Sequence, residues 1–70
     1  MTYGVRVEID HGVVRWLRGW DGDMPVFITN KEFRACKGIQ EYAECSRAMA
    51  DAQKVKAYQK FRSVKVVGLR

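Results

Sequence analysis

Tyr3, Val5, Val7 and Ile9 alternate with Gly4, Arg6, Glu8 and Asp10. A period of two is the mark of a half-buried β-strand, with the odd positions supplying the apolar face. Asp10-His11-Gly12 follows as a turn in which glycine provides a positive φ. The run Val13 to Trp20, rich in β-branched and aromatic residues, then returns as a second strand. Val13, Trp16, Leu17 and Trp20 also fit helical spacing, but the run is short and Gly12 and Gly19 bracket it, which favours a strand. A chain that opens with a hairpin must cover one face of it with whatever comes next.

What comes next is one more strand and two helical segments. Asp21-Gly22-Asp23 reads as a second turn, and Met24 to Thr29, with Pro25 near its start, as a third strand. Thr29-Asn30-Lys31-Glu32 matches a capping box and predicts a short helix over Asn30–Cys36, ended by Gly38. From Gln40 to about Phe61 a polar stripe (Gln40, Glu44, Arg47, Asp51, Lys54) runs opposite Tyr42, Cys45, Ala48, Met49, Ala52 and Val55, which are expected to face the sheet. Val64 to Leu69 closes the chain as a strand interrupted by Lys65; arriving after a helical crossover, it is open to parallel pairing with a neighbour such as the first strand, and the strand order is left open. The order βββ-α-α-β predicts an α+β fold, an antiparallel sheet of three to four strands with a short and a long helix packed on one face. At 70 residues this is a single compact domain, residues 1–70, burying only about 60% of its unfolded surface.

Charge is distributed unevenly. Ala52 to Arg70 carries six basic residues (Lys54, Lys56, Lys60, Arg62, Lys65, Arg70) and no acidic one, whereas residues 1–51 hold seven basic and eight acidic side chains. The whole net charge of +5 therefore resides at one end, a field that selects nucleic acid or an acidic protein surface. Charged residues through the first twenty positions leave no run suited to a signal peptide, and no stretch nears the roughly eighteen apolar residues of a membrane span. Two cysteines are too few for a disulfide framework, so an intracellular, reducing compartment is expected.

Catalytic and metal chemistry has little to work with. His11 is the only histidine and falls in a turn, with no nucleophile and orienting group in evident reach. Cys36 and Cys45, nine apart, lack zinc spacing and are expected as small buried apolar groups. Asp10, Asp21 and Asp23 read as solvated turn residues, without the ligand density of a calcium loop. No enzyme activity, cofactor or metal is expected. Trp16 and Trp20, at even positions of the second strand, are expected on one face with Val14 and Arg18, opposite Val13, Arg15 and Leu17. The alternation alone leaves open which set is exposed; Trp and Arg together suit a protein-contact surface. The candidate partner-binding residues are Lys54, Lys56, Lys60, Arg62, Lys65, Arg15, Arg18 and Trp20. An alternative nucleic-acid set is Lys56, Tyr58, Lys60, Phe61, Arg62 and Lys65, in which aromatics interleave with cations as stacking platforms.

The compact single domain, the hairpin Tyr3-Gly4-Val5-Arg6-Val7-Glu8-Ile9 to Val13-Val14-Arg15-Trp16-Leu17, and a helix followed by Val64-Lys65-Val66-Val67 resemble the small accessory proteins of phages and prophages, including anti-CRISPR inhibitors. The resemblance implies a non-catalytic protein of the bacterial host cytoplasm that inhibits a defence complex by steric occlusion, as a monomer or small homo-oligomer. Many such inhibitors are acidic DNA mimics. This chain is basic, which directs the expectation to an acidic protein patch or bound RNA of a defence ribonucleoprotein complex, with a small nucleic-acid-binding module as the alternative.

Overall fold

The computed structural model describes residues 2–36 and 38–69, with Cys36 described through its backbone alone. Strands β1 (Tyr3–Asp10), β2 (Val13–Asp21) and β3 (Met24–Thr29) precede helices α1 (Asn30–Cys36) and α2 (Cys45–Tyr58), and β4 (Ser63–Gly68) closes the chain. The α+β class and the element order are those expected from the sequence. The four strands form one antiparallel sheet in the order β3-β2-β1-β4. Both hairpins turn on two residues, with Asp10 opposite Val13 and Asp21 opposite Met24. Gly12 at φ +73° and Gly22 at φ +63° supply the left-handed backbone that such tight turns need.

β4 pairs with β1, and the orientation that the sequence left open is antiparallel. The reason is the path of α2. It begins next to Tyr42, which exchanges two 2.9 Å backbone bonds with Tyr3, and the chain leaves it at Arg62, whose amide donates to Glu8 at 2.9 Å. Fourteen helical residues rise about 21 Å, so α2 carries the chain from the start of β1 to its end, and β4 can only run back.

Val5, Val7 and Leu17 are fully buried beneath Ala48, Ala52 and Val55 of α2, with Tyr42 closing the cluster. The small alanines let helix and sheet approach closely. Cross-strand register puts Val66 and Val64 beside Val5 and Val7 on this same face. Ile9, expected to extend the face, is exposed because the register shifts between Glu8 and Asp10.

The two helices divide between the faces, where the sequence placed both on one. Trp16 is adjacent to Leu17 on β2, so its side chain takes the reverse face, opposite Arg6 and Ile28. There its ring stacks on Phe33 of α1 at 4.3 Å, and its Nε1 donates to Asn30 Oδ1 at 2.9 Å. The α1 start is the expected capping box: Glu32 N–H donates to Thr29 Oγ1 at 3.0 Å and Thr29 N–H to Glu32 Oε1 at 3.1 Å. Those bonds from Thr29, backbone first, lower the Glu32 pKa. The predicted passage of α1 into its glycine end runs through Lys37, outside the described residues.

α2 starts five residues later than its polar stripe suggested. Gln40 to Glu44 is not helical because its backbone groups are committed elsewhere: Gln40 N–H donates to Leu17 O at 2.9 Å, and Tyr42 bridges Tyr3. Periodicity could not register that competition. The helix also ends at Tyr58, short of Phe61, where Gln59 turns extended (φ −153°, ψ 148°).

Candidate functional site

The register shift on β2 between Leu17 and Gly19 sets the fate of the two tryptophans. One extra residue reverses the alternation, so Trp20 leaves the face of Trp16 and joins that of Leu17. Its indole packs half-buried against the core, and Nε1 donates to Asp51 Oδ2 at 3.2 Å. The Tyr42 hydroxyl donates to the same oxygen, and Lys54 Nζ stands 4.0 Å from Asp51 Oδ1. Asp51, read from the sequence as one member of a polar stripe, is thus the acceptor that ties β2, the Tyr42 segment and α2 together. A signal for it existed: buried Trp and Tyr each require a polar partner.

Burial of Tyr42, then its hydrogen bond to Asp51 and the charge of that carboxylate, raise the Tyr42 pKa well above the usual tyrosine range. Above about pH 10 the unfolded chain releases this proton while the folded chain keeps it, so the unfolded state binds fewer protons and stability falls as pH rises. The expected slope from this residue is about 1.4 kcal/mol per pH unit. Urea unfolding of the wild type and Tyr42→Phe from about pH 9 to about pH 11 tests it. The stability advantage of the wild type should shrink across that range, and a constant difference would contradict the assignment.

The basic residues separate into groups. Lys54 and Lys56 lie about 200° apart around α2. Lys54, 71% exposed, borders a hollow with Trp20 and Asp23. Lys56 instead borders a groove of about 360 Å³ between α2 and β4, with Cys45, Met49, Val64 and Val66. Lys60 is exposed beyond the helix end, and Arg62 Nε lies 3.8 Å from Glu8 Oε2. Lys65 is exposed on β4 directly across from Arg6. Arg18 is exposed at the β2 irregularity, whereas Arg15 is half-buried opposite Val7, with Nη1 3.2 Å from Val14 O. Arg70 lies outside the described residues. The sequence-predicted set therefore comes together only in part: Lys56 and Lys65 share the α2–β4 edge, with Arg6, absent from that set, beside Lys65.

Cys45 and Met49 were expected under the helix. Cys45 is an exposed free thiol and Met49 is 55% exposed; both line the open groove where α2 lies against edge strand β4, beyond which the sheet has no further strand. Of the aromatics in the nucleic-acid set, Tyr58 is 49% exposed, while Phe61 is half-buried in a T-shaped contact with Phe27, ring centres 5.5 Å apart. His11 is exposed in its turn, where its backbone amide donates to Asp10 Oδ1 at 2.8 Å. Among the described residues no three His, Cys, Asp or Glu side chains assemble as a metal site, and no helix is long and apolar enough to cross a membrane.

No family model, no curated protein and no solved structure matches this chain. Its own geometry carries the functional argument.

Proposed function

We propose that this chain is a non-catalytic binding protein that engages an acidic protein surface through its α2–β4 edge. The supporting observation is that Lys56 borders an exposed apolar groove with no acidic side chain on its wall, while Lys65 stands exposed on the reverse face of β4, the strand that forms that wall. Cations fixed on a helix and a strand present a set pattern to a partner, and complementary charge steers encounter as well as register. The resemblance to small phage-encoded inhibitors adds the finer reading: the partner is a bacterial defence ribonucleoprotein complex, and binding occludes its working surface in the host cytoplasm.

An acidic protein is favoured over nucleic acid because only one of the two aromatics in the nucleic-acid set, Tyr58, is left exposed. Stacking platforms must offer a free ring face, and Phe61 is partly buried against the core cluster. Co-purification with such a complex, repeated with Lys56→Glu, Lys60→Glu and Lys65→Glu combined, tests the proposal. The triple variant should lose the partner while remaining folded; retained binding would overturn the electrostatic reading. Oligonucleotide binding that weakens steeply with salt would favour the nucleic-acid module instead.

A further inference from the structure

We propose that β4 accepts an extended segment of the partner as a fifth strand, and that the segment alternates apolar with acidic residues. This rests on the reading of the α2–β4 edge as the binding surface and adds how it binds.

β4 has a neighbour on one side only. Leu69 N–H donates to Thr2 O at 2.7 Å, next in register to the Tyr3–Gly68 pair. Antiparallel ladders alternate bonded and non-bonded pairs, so Lys65 and Val67 bond inward to β1. Val64, Val66 and Gly68 consequently direct their N–H and C=O groups outward. The bridge from Tyr3 to Tyr42 agrees, since it directs the backbone of Tyr3 away from Gly68. The outward row is therefore free to template another strand.

Both faces of that added strand meet defined chemistry. On the α2 face, alternate side chains enter the groove between Met49 and the pair Val64 and Val66, which takes apolar groups. On the reverse face, the intervening side chains lie beside Lys65, which stands directly across from Arg6. Like charges directly opposite each other on a sheet are destabilising, and nothing in the fold requires this pair. A carboxylate on the added strand relieves it. The same two cations disfavour a second copy of this chain, whose own β4 would bring another Lys65 and no acid.

The test uses the intact protein and a capped peptide of alternating valine and glutamate. On saturation, amide exchange at Val64 and Val66 should slow by about tenfold or more, while Lys65 and Val67, already bonded to β1, stay unchanged. Met49→Glu, at an exposed position, should weaken the peptide by about tenfold or more, and the same peptide with lysine for glutamate should give no protection. Absence of protection at Val64 and Val66 overturns the proposal, as does protection that grows with protein concentration alone, which would assign the edge to a second copy. If the charge-reversed triple variant loses the defence complex but the peptide gives no protection, the binding reading stands and strand addition falls. If the peptide protects while charge reversal leaves the complex intact, the reverse holds.

Discussion

Replacing Asp51 with alanine is expected to destabilise the protein by about 2–3 kcal/mol, although the position looks like an ordinary polar site on a helix. Truncation removes the shared acceptor of Trp20 Nε1 and the Tyr42 hydroxyl. Two donors in and around the core then lose their partner, and an unsatisfied buried donor costs more than the net value of the bond it made. Asp51→Asn keeps one acceptor oxygen but loses the charge, so its cost should be smaller. Tyr42→Phe removes donor and demand together and should also cost less than Asp51→Ala. The check is urea unfolding of the three variants with a double-mutant cycle between positions 42 and 51. A cycle with no coupling, or Asp51→Ala within about 0.5 kcal/mol of wild type, would refute the role assigned to this carboxylate.

Leu17→Ala carries the largest expected loss, about 3–4 kcal/mol. Leu17 is fully buried and is the largest of the completely enclosed side chains, sitting on a central strand under α2. Its removal takes away both the transfer free energy of the lost atoms and the contacts around the void. A domain of this size has only a few kcal/mol to lose, so the variant should be largely unfolded at growth temperature. The matching change at Val26, an exposed residue of edge strand β3, should stay within about 0.5 kcal/mol. Thermal melts followed by circular dichroism decide it; equal melting temperatures for the two variants would contradict the assigned core.

Much of this architecture is legible in the amino-acid sequence. Alternation from Tyr3, glycines at the two turns and the Thr29–Glu32 reciprocity are local signals, each tied to a backbone requirement that short-range chemistry can state. What escaped was non-local. The even spacing of Trp16 and Trp20 implied a shared face, and a single register shift between them separated the pair. Gln40 to Glu44 carried helical spacing, yet backbone bonds to Leu17 and Tyr3 outcompeted the helix. In the candidate site, Lys56 and Lys65 were visible as charge, but Arg6 entered only through its register with Lys65. The groove was hidden for a related reason: periodicity gives the direction of Cys45 and Met49, and only the strand order, with β4 at the edge, says whether a further strand lies beside them.

The bridge that Gln40 and Tyr42 make at the open end of the first hairpin also bears on how the molecule assembles. Regular pairing of β1 with β2 stops at Arg6 and Trp16, and beyond it Leu17 O and both backbone groups of Tyr3 are met by Gln40 and Tyr42, from the segment that leads into α2. Neither the hairpin nor the helical half can complete its hydrogen bonding without the other. Partial structures thus gain little, and loss of either half exposes polar backbone in both. Unfolding should consequently be a single all-or-none transition, with circular dichroism and tryptophan fluorescence tracing coincident curves.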